Sequence, residues 1–348
     1  MDIFLVTDIN DNQKYNFELF ENFKKNKDYT GFNIIKSAEH ADIILFSTLG
    51  LNDQEILSIT AHHLVKKAPG KCYLICDRDH PYPVLPGLYA ALPKLKFVST
   101  GTWKKYFRTT FYFADHNHYI SELKHNTIEP IYLFSFVGSL TSRVRDAIFN
   151  TIFKRKDILI HKTQSSNFWE NFYWVYGIKK TKDNDEYLLE YAKNILQSKF
   201  VLCPKGNGIS SYRFFEVMEA GRVPVLLSDA YVLPEIPYDW DDLIIRIKEN
   251  EVHNLEQIIT DNEHKFESMS ALNKKVYEEV FANKTQYIHQ ALESLHSKRP
   301  IKNQFDYLLF KLYWLGIFKS LHTVKFMHRK LMGALKDLSK RKQFPIPD

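Results

Sequence analysis

Cysteine is scarce in this 348-residue chain: Cys72, Cys76 and Cys203 are the only three, and each sits in an apolar, strand-like run. An odd, sparse set argues against a disulfide framework, and Cys72-x3-Cys76 lacks metal-ligand spacing, so all three read as small buried hydrophobes. No basic region precedes the first apolar residues. Met1-Asp-Ile-Phe-Leu-Val-Thr-Asp8 reads as a first β-strand instead of a leader, so the expected compartment is the reducing cytoplasm. The apolar tract Tyr307–Phe318 is only about half the length that spans a bilayer. A basic stripe is also missing from the body. Net charge is +6, yet residues 299–348 hold 11 Lys/Arg against 3 Asp/Glu, which is +8 and leaves −2 for residues 1–298. That balance gives no footprint for nucleic acid. No internal repeat of 20–50 residues is evident.

What the chain has in quantity is aromatic side chains, 15% of residues, concentrated in 26 Phe and 20 Tyr. Most of these serve cores, and some can form platforms for sugar rings. The length points to two core-forming units. Strand candidates at Ile3–Thr7, Phe32–Lys36, Ile43–Ser47, Lys71–Asp77 and Lys96–Ser99 alternate with helical stretches such as Asp53–Lys67. Alternation of this kind predicts a mostly parallel sheet covered by helices. A second series begins at Ile131–Val137. It continues with a helix from about Thr141 to Phe153, a strand Asp157–His161, a helix Glu186–Ser198 and a strand Lys199–Cys203. The expected units are therefore residues 1–128 and 129–298, followed by a basic helical tail at 299–348.

The densest chemical signal is Ser198–Asp229, which reads as strand, glycine loop, helix, glycine stop and strand. Ser210 or Ser211 can cap the helix, and Gly221 can end it in a left-handed conformation. Gly206 and Gly208 let backbone N–H groups approach an anion at the helix N-terminus. Arg213 and Glu216 share a helix face. The arginine suits a diphosphate, and the glutamate one turn on can accept bonds from ribose hydroxyls. An ordinary surface ion pair is the competing reading of the same two residues.

This segment resembles the exostosin-type glycosyltransferases, especially bacterial members. The resemblance rests on Leu202-Cys203-Pro204, Lys205-Gly206-x-Gly208, Ser211-Tyr212-Arg213-Phe214-Phe215-Glu216 and Val223-Pro224-Val225. It continues through Ser228-Asp229, Leu233-Pro234 and Trp240 to a strand at Leu243–Ile247. Upstream, Phe136-Val137-Gly138-Ser139 with Arg143 resembles the family's earlier glycine-plus-arginine element. The likeness covers about residues 132–260. It implies a GT-B architecture, two Rossmann-like domains facing across a cleft, with the donor held on the C-terminal domain and no catalytic metal or other cofactor. By carry-over Arg143 and Arg213 contact the diphosphate and Glu216 the ribose. Lys205 adds a cation near the leaving group, and Gly138, Gly206, Gly208 and Ser211 shape the site. Glu219 ranks lower, because family members vary there.

An inverting transfer needs a base to take the acceptor proton. Strand carboxyl ends border ligand crevices in open α/β sheets, which selects Asp79 or His80 after Lys71–Cys76, with Asp8 next. The same acids could simply cap turns. Asp77-x-Asp79 and Asp183-x-Asp185 imitate a metal-binding acidic pair, and His116-x-His118 lacks further ligand spacing. His62-His63 lies in a predicted helix, where adjacent positions do not share a face. The aromatic loop Trp169–Tyr176 suits acceptor stacking or interface packing. Residues 303–348 combine basic, aromatic and amphipathic character, which reads either as a helix lying on an anionic membrane face or as packing across both domains. The expected activity is transfer from a nucleotide-sugar, with UDP-sugars favoured, to a glycan or lipid-linked glycan in polysaccharide synthesis. A nucleotide-sugar epimerase of related fold and a non-catalytic nucleotide-sugar-binding scaffold are the alternatives.

Overall fold

The computed structural model describes residues 1–7, 9, 31–94, 103–111, 117–125, 128–163 and 182–315. Within them the chain forms two parallel β-sheets. The first holds β1 (Asp2–Leu5), β2 (Asn33–Ile34), β3 (Ile43–Ser47), β4 (Cys72–Cys76), β5 (Gly87–Tyr89) and β6 (Phe107–Thr109), in the order β2-β1-β3-β4-β5-β6. The second holds β7 (Tyr132–Gly138), β8 (Ile158–Lys162), β9 (Ser198–Pro204), β10 (Val223–Leu227) and β11 (Ile245–Arg246), in the order β11-β10-β9-β7-β8. Every strand pairing is parallel. In each sheet the order reverses next to the first strand, between β1 and β3 and between β7 and β9. Such a reversal leaves a crevice at the strand carboxyl ends. Two Rossmann-like units are therefore present, as the pattern of alternating strands and helices predicts.

The helices cover these sheets. They are α1 (Asp53–Ser58), α2 (His63–Lys67), α3 (His118–Leu123), α4 (Arg143–Asn150), α5 (Lys182–Leu196), α6 (Tyr212–Glu219), α7 (Leu255–Asp261), α8 (Phe266–Val276), α9 (Lys284–Ser297) and α10 (Gln304–Phe310). Burial on both faces explains why the central strands read as unbroken apolar runs: all five residues of β3, β4 and β10 are buried. The three cysteines are free and buried. Burial raises the Cys72 and Cys203 thiols to about 12 and Cys76 to about 11, so they are inert hydrophobes.

Two sequence expectations shift locally. The helix expected over Asp53–Lys67 is broken, because His62 leaves the helical region at φ −61° and ψ 140° and its ring nitrogen accepts from Leu64 N to cap α2. The three-residue strands β5 and β6 carry too little period-2 pattern to be read. At β5 a glycine is obligatory: a Cβ on Gly87 would lie 1.9 Å from the Leu74 carbonyl oxygen. The strand expected at Lys96–Ser99 falls outside the described residues.

Chain order and spatial order part company at the C-terminus. Helix α9 lies on β5 and β6, and Tyr287 Oη donates to Thr109 O at 2.9 Å. Ile301, Tyr307, Phe310 and Trp314 then enter the core on one face of the first sheet, among Phe46, Leu74, Val84 and Phe107. A second core runs without a break from β1, β3 and β4 through α9 to α6. The units are also joined by Lys94 N to Ala230 O at 2.6 Å and by the Arg108–Glu235 ion pair at 3.3 Å.

Candidate active site

The cleft at the β7/β9 reversal is a narrow, partly open cavity of about 100 Å³. Its floor is the end of β7, its walls are α4, α5 and the 206–213 turn, and Asp79 reaches in from the first unit.

Two arginines dominate it. Arg213, on the first turn of α6, is 8% exposed. It donates from Nη2 to Val137 O at 2.5 Å and from Nε to Tyr191 Oη at 3.0 Å. Its guanidinium lies 4.7 Å from the centre of the Phe136 ring. Arg145, on the first turn of α4, stacks on the same ring at 5.5 Å. It donates from Nε to Lys205 O and from Nη1 to Ser139 O, both at 3.1 Å. Burial, reinforced by repulsion from Arg213, holds Arg145 down to about 9. Even so it stays cationic at neutral pH, and a bound anion would relieve both penalties.

Glu216 sits one turn beyond Arg213. Its Oε2 accepts from Tyr191 Oη at 3.0 Å and its Oε1 from Asn117 N at 3.4 Å. The Tyr191 hydroxyl therefore accepts from the arginine and donates to the glutamate, fixing both. Glu219, on the far side of α6, is tied to Ser121 and to Tyr277 at 2.9 Å, a structural contact away from the cleft.

The glycines give clearance. A Cβ on Gly206 would meet Arg145 Nη2 at 3.1 Å, and one on Gly138 would meet Arg213 Nη2 at 3.1 Å. On Gly208 it would lie 2.8 Å from the Asp79 carbonyl oxygen and 2.9 Å from Asp79 Oδ1. Gly221, at φ +63°, uses left-handed freedom, ending α6 as its position predicts. Ser211 takes the N-cap position of α6, but its side chain makes no capping bond.

The structure thus gathers Asp79, Gly138, Gly206, Ser211, Arg213 and Glu216 around one cleft, with Gly208 against Asp79. Others fall elsewhere. Arg143 is exposed at the start of α4 and does not line the cleft. Lys205 directs its ammonium to Glu249. His80 follows Asp79 but is not part of the lining. Asp8, His116 and Trp169–Tyr176 lie outside the described residues. Arg145, Tyr191, Asn117 and Thr141 were not picked from the sequence. Helical geometry could have found Arg145, since Val144 and Ile148 mark the buried stripe of α4 and position 145 lies nearer to it than 143. The Thr141 hydroxyl is buried in the wall with no hydrogen-bond partner among the described residues. No group of three or more His, Cys, Asp or Glu converges as a metal site among those residues.

Residues 105–261 match the Exostosin GT47 domain, a span that takes in α4, α6 and both arginines. That part of the chain is similar to an exostosin GT47 domain. Exostosin-1 of Drosophila melanogaster is 32% identical over 121 residues, covering 33% of this chain and 16% of that protein. The Exostosin-1 homolog of Caenorhabditis elegans is 29% identical over 136 residues, covering 37% and 35%. The matched part is thus about a third or less of these relatives' length. Among solved structures, an alpha1,3-fucosyltransferase aligns over 88% of this chain and 91% of its own at 11% identity and a TM-score of 0.43. Anabaena HepE in complex with UDP aligns over 85% and 99% at 10% identity and a TM-score of 0.37. Likeness this distant says nothing about ligands.

Proposed function

We propose that the protein is a glycosyltransferase that moves a sugar from a nucleoside diphosphate sugar to a hydroxyl of a glycan or lipid-linked glycan. One observation carries this reading: two guanidiniums, Arg213 buried and Arg145 half-buried, stack on one phenylalanine at the β7/β9 reversal and face a carboxylate supplied by the other unit. The donor's diphosphate lies against Arg145 and Arg213, with its ribose at Glu216. The acceptor oxygen attacks the anomeric carbon as the bond to the phosphate oxygen breaks. The nucleoside diphosphate leaves with the electron pair, and the acceptor proton passes to Asp79. Single displacement inverts the anomeric centre. Fixed cations take up the charge that develops on the leaving group, so the proposed transfer needs no metal or other cofactor.

Calorimetry across UDP-, GDP-, CMP- and dTDP-sugars, UDP-sugars first, tests the donor site. Turnover is then followed with glycan acceptors in the presence of EDTA. Abolition by EDTA with rescue by Mg²⁺ would remove the metal-free step. Conversion of the donor with no acceptor present would favour an epimerase, and donor binding without turnover on any acceptor a scaffold.

A further inference from the structure

We infer that the outward face of α10 is a docking surface for an anionic lipid bilayer. Helix α10 and the wider turn that continues it, Lys311–Leu315, have two apolar faces. Tyr307, Phe310 and Trp314 are buried, with Trp314 edge-on to Phe107 at 5.1 Å, so the segment is bolted to the first sheet. Phe305, Leu308, Leu309, Leu312 and Tyr313 point the other way, and all are between 47% and 69% exposed. Their spacing of i, i+3, i+4, i+7 and i+8 makes one continuous stripe. Contiguous exposure of large apolar side chains on a rigid support marks an interaction site.

Charge selects the occupant. The stripe opens the stretch 299–348, which carries +8 while residues 1–298 carry −2. A second copy docked through a two-fold axis would set this excess against itself, which disfavours self-association. Leucine and phenylalanine flanked by tyrosine and lysine is the composition of a surface lying in the headgroup boundary, where each nearby cation adds to attraction for anionic lipid. Among the described residues no helix is long and apolar enough to cross a membrane, so the contact lies in the plane of the surface. This inference is independent of the transferase reading.

The test is co-sedimentation of the full chain with phosphatidylcholine vesicles, with and without about 30 mol% phosphatidylserine. The expected result is binding to the anionic vesicles, weakened in 0.5 M NaCl, and reduced at least about tenfold by Leu308→Ser/Leu309→Ser/Leu312→Ser with unchanged Tm. A Phe305→Ser/Leu312→Ser pair, both at the most exposed positions, serves if the triple variant melts early. Absence of wild-type binding, or equal binding by a folded variant, overturns the inference. So does a dimer of the wild type by light scattering that the serine variants dissolve, which would assign the stripe to a second copy.

Discussion

Gly208→Ala probes the contact between the two units without replacing a charged group. The added Cβ would stand 2.8 Å from the Asp79 carbonyl oxygen, 2.9 Å from its Cα and 2.9 Å from Oδ1. Comfortable carbon contacts begin near 3.5 Å, so the shortfall is roughly 0.6–0.7 Å against backbone atoms that cannot rotate away. Either the Asp79 segment or the 206–211 turn must shift by a comparable amount. Overpacking of this kind costs about 1–3 kcal/mol, and misplacement of a reacting group by about 1 Å can cost on the order of a hundredfold in rate. The expected outcome is a fall in kcat of about a hundredfold, with nucleotide affinity within about threefold of wild type, because Arg145, Arg213 and Glu216 lie outside the clash. Steady-state release of nucleoside diphosphate measures the first quantity and calorimetry the second. Retained kcat in a folded variant would refute the placement of Asp79 against this turn. Loss of affinity with kcat intact would return Gly208 to phosphate binding. Gly206→Ala supplies the contrast, since the closest approach of its Cβ is to the flexible end of Arg145, and affinity should suffer first.

Arg145→Ala should weaken donor binding by about 1.5–3 kcal/mol, the value of charge-assisted bonds, whereas Arg143→Ala should leave calorimetric affinity nearly unchanged. Because burial brings Arg145 down to about 9 and its cationic form holds the anion, donor affinity should fall as pH rises through 9, a slope that Arg145→Gln removes. Tyr191→Phe severs the link between Arg213 and Glu216 and should lower stability by about 1–3 kcal/mol, read as a Tm shift, while weakening donor binding. Trp314→Ala should cost about 3–5 kcal/mol, against under about 0.5 kcal/mol for Leu312→Ala, which denaturant melts will separate.

The architecture was readable because parallel strands buried on both faces leave unbroken apolar runs, as at β3, β4 and β10, and because the 198–229 segment carries its own punctuation. Arg213 and Glu216 were found since both lie on one short helix in sequence register. Arg145 and Arg143 differ by two positions, and only the orientation of α4 around its buried stripe tells them apart. Tyr191 and Asn117 reach the cleft from elements distant in sequence, so their convergence is a property of packing that no local pattern encodes. The tail shows the same limit. The apolar tract Tyr307–Phe318 was visible, yet core and exposed stripes on one helix cannot be distinguished until the first sheet is in place to claim Tyr307, Phe310 and Trp314.

The return of α9 and α10 to the first sheet sets the order of events during synthesis. Strand β6 is complete about 170 residues before α9 emerges, on the order of 10–30 s at ribosomal speed. For that interval the face of the first sheet that will receive Tyr307, Phe310 and Trp314 has no cover from its final partners. The second unit can close over its own strands during this time, so the half made first is finished last. A premature stop before codon 315 therefore removes cover from the N-terminal half, and quality-control machinery will see the damage there instead of at the cut end.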